Sequence, residues 1–369
     1  MGQKNVTILC SGFGLGFYVI GLLLEQRFIE KDVPVDVLVF ESLMSEKKKE
    51  QIIKSKKVYH KKFSVALMST RMIMDIRESI DADIVEDMLN RWEMEGRSNF
   101  IVLSGHWMHI IDLYREKVFP KEVHADIIYT DSEPSPSWKS LKAIKPDYSA
   151  GCEEIYLFDS ARKSIDYQIP VTNLPVVPFN VRPDRFVIHG GGWGMGTYQS
   201  KITELEEKGI RLDVIGYEPQ ETAAQKDGNR YFANNPEWSA WNRNAQGRYE
   251  FPPLGLVNEQ GMPEFSNNDK YHPIFDLIRN SKAIISKTGG GTFVDSLGAA
   301  TPVIMLEPFG EHEKVNAELW EYFGFGIMYE KWKESGFSTE ILEDLHNNLV
   351  EKKEHCADYS AYYISKYKL

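Results

Sequence analysis

Each half of the chain opens with the same local pattern: a short β-rich run, a glycine-rich turn and a helical stretch. In the first half this pattern covers residues 6–27, and in the second half it restarts over residues 185–208. A strand that passes through glycines into a helix is the opening unit of a doubly wound α/β domain. The sequence therefore predicts two doubly wound, Rossmann-like α/β domains that face each other across a cleft.

The rest of the chain alternates strand-like and helix-like segments. We predict strands at 6–10, 35–40, 100–104, 127–130, 185–188, 212–215, 283–286 and 303–306, and helices at 18–27, 82–95, 109–118, 200–208, 292–299, 315–323 and 339–352. Residues 218–265 are rich in Asn, Pro, Gly and aromatic residues and give no clear assignment.

The length of 369 residues exceeds the usual size of one domain, so two domains are expected. We place the first over residues 1–168 and the second over residues 185–356. Residues 169–184 contain four prolines and little helical periodicity, which is typical of a linker. Residues 357–369 predict a final helix, which either stays on the second domain or crosses back to the first.

The composition excludes several classes of protein. A net charge of −11 argues against a broad nucleic-acid-binding surface. Three widely spaced cysteines favour neither a disulfide framework nor a cysteine-based zinc site, and they fit a reducing cytoplasm. The uncharged residues 6–24 could be an export signal or a membrane span, but their four glycines and the missing cleavage site favour a strand, a turn and a helix.

The run Gly190-Gly-Gly-Trp-Gly-Met-Gly196 follows a predicted strand and precedes a predicted helix. Glycine lets backbone amides approach a ligand, and a helix N-terminus adds unpaired donors and a partial positive charge. Phosphate is therefore the expected ligand of this loop. The alternative interpretation is a simple tight turn.

The segment Ser286-Lys-Thr-Gly-Gly-Gly-Thr-Phe-Val-Asp295 repeats this arrangement. We predict Thr292 as the N-cap of the following helix. Asp295 either complements the helix dipole or accepts hydrogen bonds from ribose hydroxyls. Two such loops in one domain predict a diphosphate held from two sides, with Lys287 as an added charge. Neither loop matches the Walker A pattern or a strict dinucleotide fingerprint.

Three further polar residues, His312, Glu313 and Asn316, follow the strand predicted at 303–306. Loops at the carboxyl ends of strands supply many of the specific contacts in α/β binding sites. We therefore regard these side chains as candidates for ligand binding. The alternative is a solvated, capped helix start.

Together, these motifs of the second half resemble the nucleotide-sugar glycosyltransferases of the GT-B fold. The likeness is to the family 28-like branch of the lipid II-forming N-acetylglucosaminyltransferase and the diacylglycerol glycosyltransferases. It implies a UDP-linked sugar as co-substrate, with neither a metal nor another cofactor. It also implies that Asp295, where the family has Glu, binds the donor ribose. The donor-binding residues that it implies are Gly191, Gly192, Trp193, Gly194, Met195, Lys287, Thr288, Gly289, Gly290, Gly291, Thr292, Asp295, His312, Glu313 and Asn316.

The likeness in the first half is confined to two loops. The opening loop resembles the family's first loop, which implies that Gly14, Gly16 and position 17 lie at the acceptor site. The family has His at that position, whereas this chain has Phe17, which cannot accept a proton. The segment Ile128-Tyr-Thr-Asp131, followed by Trp138, resembles the Thr-Asp loop of the diacylglycerol enzymes and implies that Asp131 is the general base.

Two histidines are further candidates for the base. His106 and His109 follow the strand predicted at 100–104. A histidine has an ordinary pKa near 6.5 and is better suited to proton transfer at neutral pH than an unperturbed aspartate near 3.9. A satisfied structural histidine is the alternative for each of them.

The segment Lys47–Lys62 contains eight lysines. Basic residues beside apolar ones can bind anionic lipid or phosphate, and a solvated helix face is the other interpretation. Met68, Met72 and Met74 follow, and we predict that they belong to the core rather than to an acceptor pocket.

The function predicted is that of a cytoplasmic, inverting glycosyltransferase, with peripheral contact with the inner face of a membrane as an open question. The second domain binds the UDP-sugar, and the first binds a small-molecule, saccharide or lipid acceptor. One alternative is a UDP-sugar epimerase or hydrolase of the same fold, which needs no acceptor. Another is a non-catalytic nucleotide-sugar-binding subunit, which Phe17 would explain.

Overall fold

The computed structural model of the chain describes residues 5–222 and 228–369. The first part of the chain forms β1 (Val6–Cys10), α1 (Leu15–Ile29), β2 (Val35–Val39), α2 (Glu46–Lys61), α3 (Phe63–Ser69), α4 (Ala82–Glu95), β3 (Asn99–Val102), α5 (Met108–Val118), β4 (His124–Tyr129), α6 (Pro136–Ile144), β5 (Glu153–Tyr156) and β6 (Tyr167–Gln168). The second part forms β7 (Phe186–Ile188), α7 (Tyr198–Glu207), β8 (Leu212–Gly216), β9 (Arg230–Asn234), β10 (Leu254–Val257), β11 (Pro263–Ser266), α8 (Ile274–Arg279), β12 (Ala283–Ser286), α9 (Gly290–Ala299), β13 (Val303–Met305), α10 (Glu311–Tyr322), β14 (Gly326–Met328), α11 (Tyr329–Glu334), α12 (Thr339–His355), β15 (Ala357–Asp358) and α13 (Tyr359–Tyr367).

The first sheet is parallel and has the strand order β2-β1-β3-β4-β5. Strands β1 and β3 are buried along their whole length, as expected for central strands covered by helices on both faces. The order reverses between β1 and β3, and ligands of such sheets bind beyond the carboxyl ends of the strands at this point. We call the place where the strand order reverses a switch point. The first switch point consists of the loops after β1 and β3.

The second sheet has eight strands in the order β11-β10-β9-β8-β7-β12-β13-β14. Six neighbouring strands, β9-β8-β7-β12-β13-β14, are parallel and follow the Rossmann pattern. At the β9 edge the sheet continues with β10 and β11, and the pairs β9–β10 and β10–β11 are antiparallel. The order reverses between β7 and β12. The second switch point therefore consists of the two glycine-rich loops that follow these strands.

Most predicted elements are present, with ends shifted by a few residues. The strand predicted at 283–286 and the helix predicted at 82–95 coincide with β12 and α4. Helix α9, however, begins at Gly290, two residues earlier than predicted, and its N-cap is Gly289. The prediction of Thr292 as N-cap was wrong because Gly290 and Gly291 already adopt the helical conformation.

The methionines in α3 and just after it do not belong to the core. Met68, Met72 and Met74 are 70%, 63% and 56% exposed, so this prediction was wrong. The physical reason is local, since α3 is only seven residues long and buries only Ala66. No helix in the two described ranges is long and apolar enough to cross a membrane.

The chain passes between the two sheets at several places. Residues 169–184 lead from β6 to β7, and the last helix, α13, packs on the first sheet. There the Tyr359 and Tyr367 hydroxyls donate to the buried Asp126 carboxylate at 3.0 and 2.5 Å, and Lys366 Nζ pairs with the same carboxylate at 3.0 Å. Hydrogen bonding and an ion pair thus offset the cost of burying Asp126.

Candidate functional site

A cavity of about 520 Å³ lies between the two switch points. The first switch point contributes the glycine loop after β1 and the His106 segment after β3, and the second contributes both of its glycine-rich loops. Such a position between two doubly wound domains is the usual place for a ligand in this architecture.

Lys287 lies between the two glycine-rich loops of the second switch point. A Cβ built on Gly191 would lie 3.6 Å from Lys287 Nζ, and one built on Gly289 would lie 3.7 Å from it. Lys287 Nζ pairs with Glu313 Oε1 at 2.6 Å, and Glu313 Oε2 accepts the Phe309 amide at 2.7 Å. Glu313 is therefore held by internal partners, and the Lys287–Glu313 pair is neutral overall.

Asp131 joins the two domains instead of standing alone in the cavity. Its Oδ1 accepts the Gly290 amide at 3.0 Å and the Asn316 side-chain amide at 2.8 Å. Asn316 also donates to the Thr288 carbonyl at 2.8 Å and accepts the Ser132 amide at 2.7 Å. The side chain of Asn316 thus holds the domains together and is fully buried.

Gly290 lies where the two switch points touch. A Cβ on this residue would be 2.0 Å from the Thr130 carbonyl oxygen, a distance that no side chain can have. Close by, a Cβ on Gly291 would lie 3.2 Å from Gly16 Cα at the start of α1. The glycines of this loop therefore permit direct contact between the domains as well as access to the amides of α9.

Asp295 is paired with a histidine that the sequence analysis did not identify. His272 Nε2 lies 2.9 Å from Asp295 Oδ1 and 3.0 Å from Oδ2, and both residues are buried and line the cavity. His272 precedes α8 and falls just after the segment that gave no clear assignment, so no local pattern marks it. The pairing fixes the orientation of the Asp295 carboxylate.

His189 is a second histidine that the sequence analysis missed. It ends the β7 run, and its Nδ1 accepts the Gly191 amide at 3.0 Å. Its Nε2 has no hydrogen-bond partner among the described residues, and the side chain is 7% exposed and lines the cavity. Burial, together with the nearby charges of Lys287 and His272, lowers the pKa of His189 to about 3.

Glu41 organises the first switch point. Its carboxylate accepts the Ser11 hydroxyl at 2.7 Å and the amides of Gly12 and Phe13 at 2.7 and 3.0 Å. It is only 1% exposed. Two amides of this glycine-rich loop are thus already bonded to a carboxylate of the same chain.

The candidates for the base occupy different environments. Asp131 and His106 line the cavity, whereas His109 on α5 does not. Burial lowers the pKa of His106 to about 4, and its Nδ1 has no partner among the described residues. Burial and the nearby Arg77 lower the pKa of His109.

The remaining predicted residues fall into two groups. Most of them line the cavity, namely Gly14, Gly16, Phe17, Gly191, Gly192, Trp193, Met195, Lys287, Gly289, Gly290, Gly291, Thr292, Asp295, His312 and Glu313. Gly194, Thr288 and Asn316 are not part of this lining but are hydrogen-bonded to residues that are, namely Gly191, Glu313 and Asp131. In the part of the chain that the structure describes, no group of three or more His, Cys, Asp or Glu side chains is placed to hold a metal ion.

Helix α2, which contains most of the lysine-rich segment, contacts the second domain. His60 Nδ1 lies 2.8 Å from the Gly194 carbonyl, and its Nε2 lies 2.5 Å from Glu221 Oε1. Lys56 Nζ lies 5.0 Å from the centre of the Trp193 ring. One face of α2 therefore contacts the glycine-rich loop Gly190–Gly196, while most of its lysines face solvent.

This architecture, two doubly wound domains whose switch points face one cavity, defines the GT-B fold. No family model matches the chain, and no curated protein sequence matches it. Three solved structures are similar in fold: MurG of Acinetobacter baumannii (10% identity, 98% of each chain covered, TM-score 0.52), the glycosyltransferase SnogD from Streptomyces nogalater (12%, 99% of each chain, 0.54) and the spinosyn rhamnosyltransferase SpnG complexed with thymidine diphosphate (10%, 99% of this chain and 100% of that one, 0.53). Because the sequence identities are only 10–12%, these comparisons show similarity of fold and nothing further.

Proposed function

We propose that this protein is a glycosyltransferase that moves a sugar from a nucleoside diphosphate sugar to a hydroxyl group of an acceptor. The main support is the cavity, which lies at both switch points at once, so that a donor on the second domain can meet an acceptor on the first. The resemblance in the sequence motifs and the GT-B fold point to the same activity.

The donor, in this proposal, binds with its diphosphate beside the N-terminus of α9 and near Lys287. Helix N-termini and lysine side chains both favour phosphate groups. Asp295, oriented by His272, accepts hydrogen bonds from the ribose. We propose a UDP-linked sugar. SpnG was solved with thymidine diphosphate, so TDP-linked sugars are the first alternative to test.

The proposed reaction is a direct displacement. The acceptor oxygen attacks the anomeric carbon, the bond to the diphosphate oxygen breaks, and its electron pair leaves with the diphosphate. This inverts the anomeric centre and needs a base for the hydroxyl proton. Loop amides and Lys287 stabilise the charge on the leaving group.

Asp131 is the base that we propose. One of its carboxylate oxygens is held by Gly290 and Asn316, which fixes the side chain at the edge of the cavity. Asp131→Asn keeps an oxygen for these two hydrogen bonds but removes the base. We expect kcat to fall by about 10²–10⁴-fold with unchanged affinity for UDP, measured by product formation and calorimetry.

His106 is the alternative base. Its neutral ring lines the cavity, and its pKa of about 4 makes it as weak a base as an ordinary aspartate. Burial thus removes the advantage in basicity that a histidine has over an aspartate. Asp131 is preferred because Gly290 and Asn316 hold it at the edge of the cavity. His106→Ala should therefore have the smaller effect on kcat. The opposite ranking of the two variants would assign the role to His106.

The experiment that tests the function begins with thermal shifts in the presence of UDP-, TDP- and GDP-sugars. A ligand at 100 times its Kd stabilises the folded state by about 2.7 kcal/mol. The binding donor is then incubated with acceptor alcohols, and the products are analysed. A new glycoside supports the proposal. An epimer or free sugar formed without acceptor indicates an epimerase or hydrolase, and binding without turnover indicates a binding subunit.

We also propose peripheral contact with an anionic membrane through Lys47–Lys62 and the methionine-rich turn that follows. Met68, Met72, Ile73 and Met74 are each more than half exposed, and no residue of α2 is fully buried. Apolar side chains beside a basic helix are typical of interfacial binding. Sedimentation with phosphatidylglycerol vesicles should depend on Met72 and Ile73, and equal binding of Met72→Ser/Ile73→Ser and the parent protein would contradict the proposal.

A further inference from the structure

We propose that His189 binds the diphosphate of the donor by donating a hydrogen bond from Nε2–H into the second switch point. This role rests on the proposed function, because it requires a nucleoside diphosphate as ligand. Neither the sequence motifs nor the resemblance assigned a role to His189. The proposal follows from the position and the hydrogen bonding of its ring.

The hydrogen bonding of His189 determines which of its nitrogens bears the proton. The Gly191 amide can only donate, so the nitrogen that it contacts at 3.0 Å, Nδ1, must be the acceptor. The proton of the neutral ring is therefore on Nε2. The low pKa of His189, caused mainly by burial, keeps the ring neutral throughout the physiological range.

The Nε2–H group lacks a partner, whereas two donors of the same switch point, the Gly290 amide and Lys287 Nζ, have one. The Gly290 amide donates to Asp131, and Lys287 Nζ pairs with Glu313. His189 Nε2 is buried and has no hydrogen-bond partner among the described residues. Buried donors are almost always satisfied, so an unpartnered donor in a ligand cavity indicates a ligand acceptor.

The surroundings of His189 indicate the kind of acceptor. The side chain follows β7 at the switch point and lies close to Lys287 and to the Gly191 loop. A neutral N–H donor beside a lysine and backbone amides suits a phosphate oxygen. The geometry therefore assigns His189 to the diphosphate and not to the base of the nucleotide.

Two substitutions separate the roles of the two ring nitrogens. His189→Asn places an amide oxygen where Nδ1 accepts the Gly191 amide and leaves no donor at the Nε2 position. His189→Gln places its amide nitrogen near the Nε2 position. Binding of UDP and uridine, and of TDP and thymidine, is measured by calorimetry for the parent protein and both variants, with circular dichroism as the check on folding.

We expect His189→Asn to bind the diphosphate about tenfold more weakly, which corresponds to about 1.4 kcal/mol. Binding of the nucleoside should stay unchanged, and His189→Gln should recover most of the loss. Unchanged diphosphate affinity in a folded His189→Asn protein, or equal losses for nucleoside and diphosphate, would overturn the role of His189 alone. A parent protein that binds neither UDP nor TDP would overturn the proposed function and this role with it.

Discussion

The two switch points arise from the same sequence pattern but differ in what their loop amides contact. At the first, the amides of Gly12 and Phe13 donate to Glu41, which is buried in the same domain. At the second, the Gly290 amide donates across the domain boundary to Asp131, while His189 and Lys287 line the cavity beside it. At both switch points a carboxylate of the chain thus accepts from the loop, but at the second an unpartnered donor, His189 Nε2, is also buried at the cavity.

This difference shows that a strand, a glycine-rich turn and a helix do not by themselves make a phosphate site. The amides of a glycine-rich loop can bind an external anion only where carboxylates of the chain leave them available. Glu41 follows β2, which is the neighbour of β1 in the sheet. Its contact with Gly12 is therefore a consequence of strand order, which the local sequence does not contain.

Among the variants that compare the two switch points, the largest effect on stability and binding is expected for Lys287→Met at the second. Glu313 is 3% exposed and would lose its cation, which should cost about 3 kcal/mol of unfolding free energy. Affinity for UDP should fall at least tenfold because the ammonium group beside the proposed diphosphate is lost and the Glu313 carboxylate is left unpaired there. Urea denaturation and calorimetry measure the two effects.

The matched control for Lys287→Met is the double variant Lys287→Met/Glu313→Gln. It removes the unpaired buried charge, so it should recover most of the stability but not the affinity for UDP. Recovery of both would mean that Lys287 only neutralises Glu313. The second switch point would then be no better suited to an anion than the first.

Much of the fold could be predicted from the sequence because strands and helices leave local periodic signals. β12 and α4 have the predicted ends, and the switch-point loops were recognisable from their glycines. The strands β9, β10 and β11 were missed, since residues 218–265 contain few of the regular apolar positions on which such predictions depend. Met68 and Met72 were assigned to the core because methionine is usually buried, but the short α3 cannot bury them.

The candidate site was predictable only where its residues belong to a motif. Lys287 and Asp295 lie within the glycine-rich segment, and both line the cavity. Their partners, Glu313 and His272, are brought to them by the tertiary structure. The contact between Asp131 and Asn316 joins residues 185 positions apart, and no pattern in one sequence reveals such a pair.

The next effect concerns Gly290, the point of contact between the switch points. A Cβ there would overlap the Thr130 carbonyl, and a backbone group cannot move aside as a flexible side chain can. We expect Gly290→Ala to lower the unfolding free energy by about 2–3 kcal/mol. Gly16→Ala is the control, because its Cβ would have an ordinary contact of 3.6 Å with Gly291. Equal stability of both variants would show that the domains do not need this close approach.

Glu41→Gln makes the corresponding change at the first switch point. The new amide nitrogen replaces one acceptor oxygen and would face N–H or O–H donors, which should cost about 2 kcal/mol of stability. UDP affinity should remain within about twofold of the parent value, since the first loop is not part of the donor site. A loss of affinity as large as that of Lys287→Met would remove the distinction between the two switch points.

The smallest effect concerns His60 on α2, which contacts the glycine-rich loop Gly190–Gly196 of the second domain. We expect this contact between the domains to depend on pH. Burial opposes its protonation, but the Glu221 carboxylate and the Gly194 carbonyl, which both accept from the ring, raise the pKa of His60. Because the folded state holds the proton more tightly than the unfolded chain, the stabilisation is complete below the unfolded pKa of about 6.5 and is lost as the pH rises through the folded value. The parent protein should therefore exceed His60→Gln in unfolding free energy by about 1 kcal/mol more at pH 5.5 than at pH 8.5, the scale of one hydrogen bond. Urea denaturation at both pH values measures this difference, and the same difference at both would mean that the contact does not depend on the charge of His60.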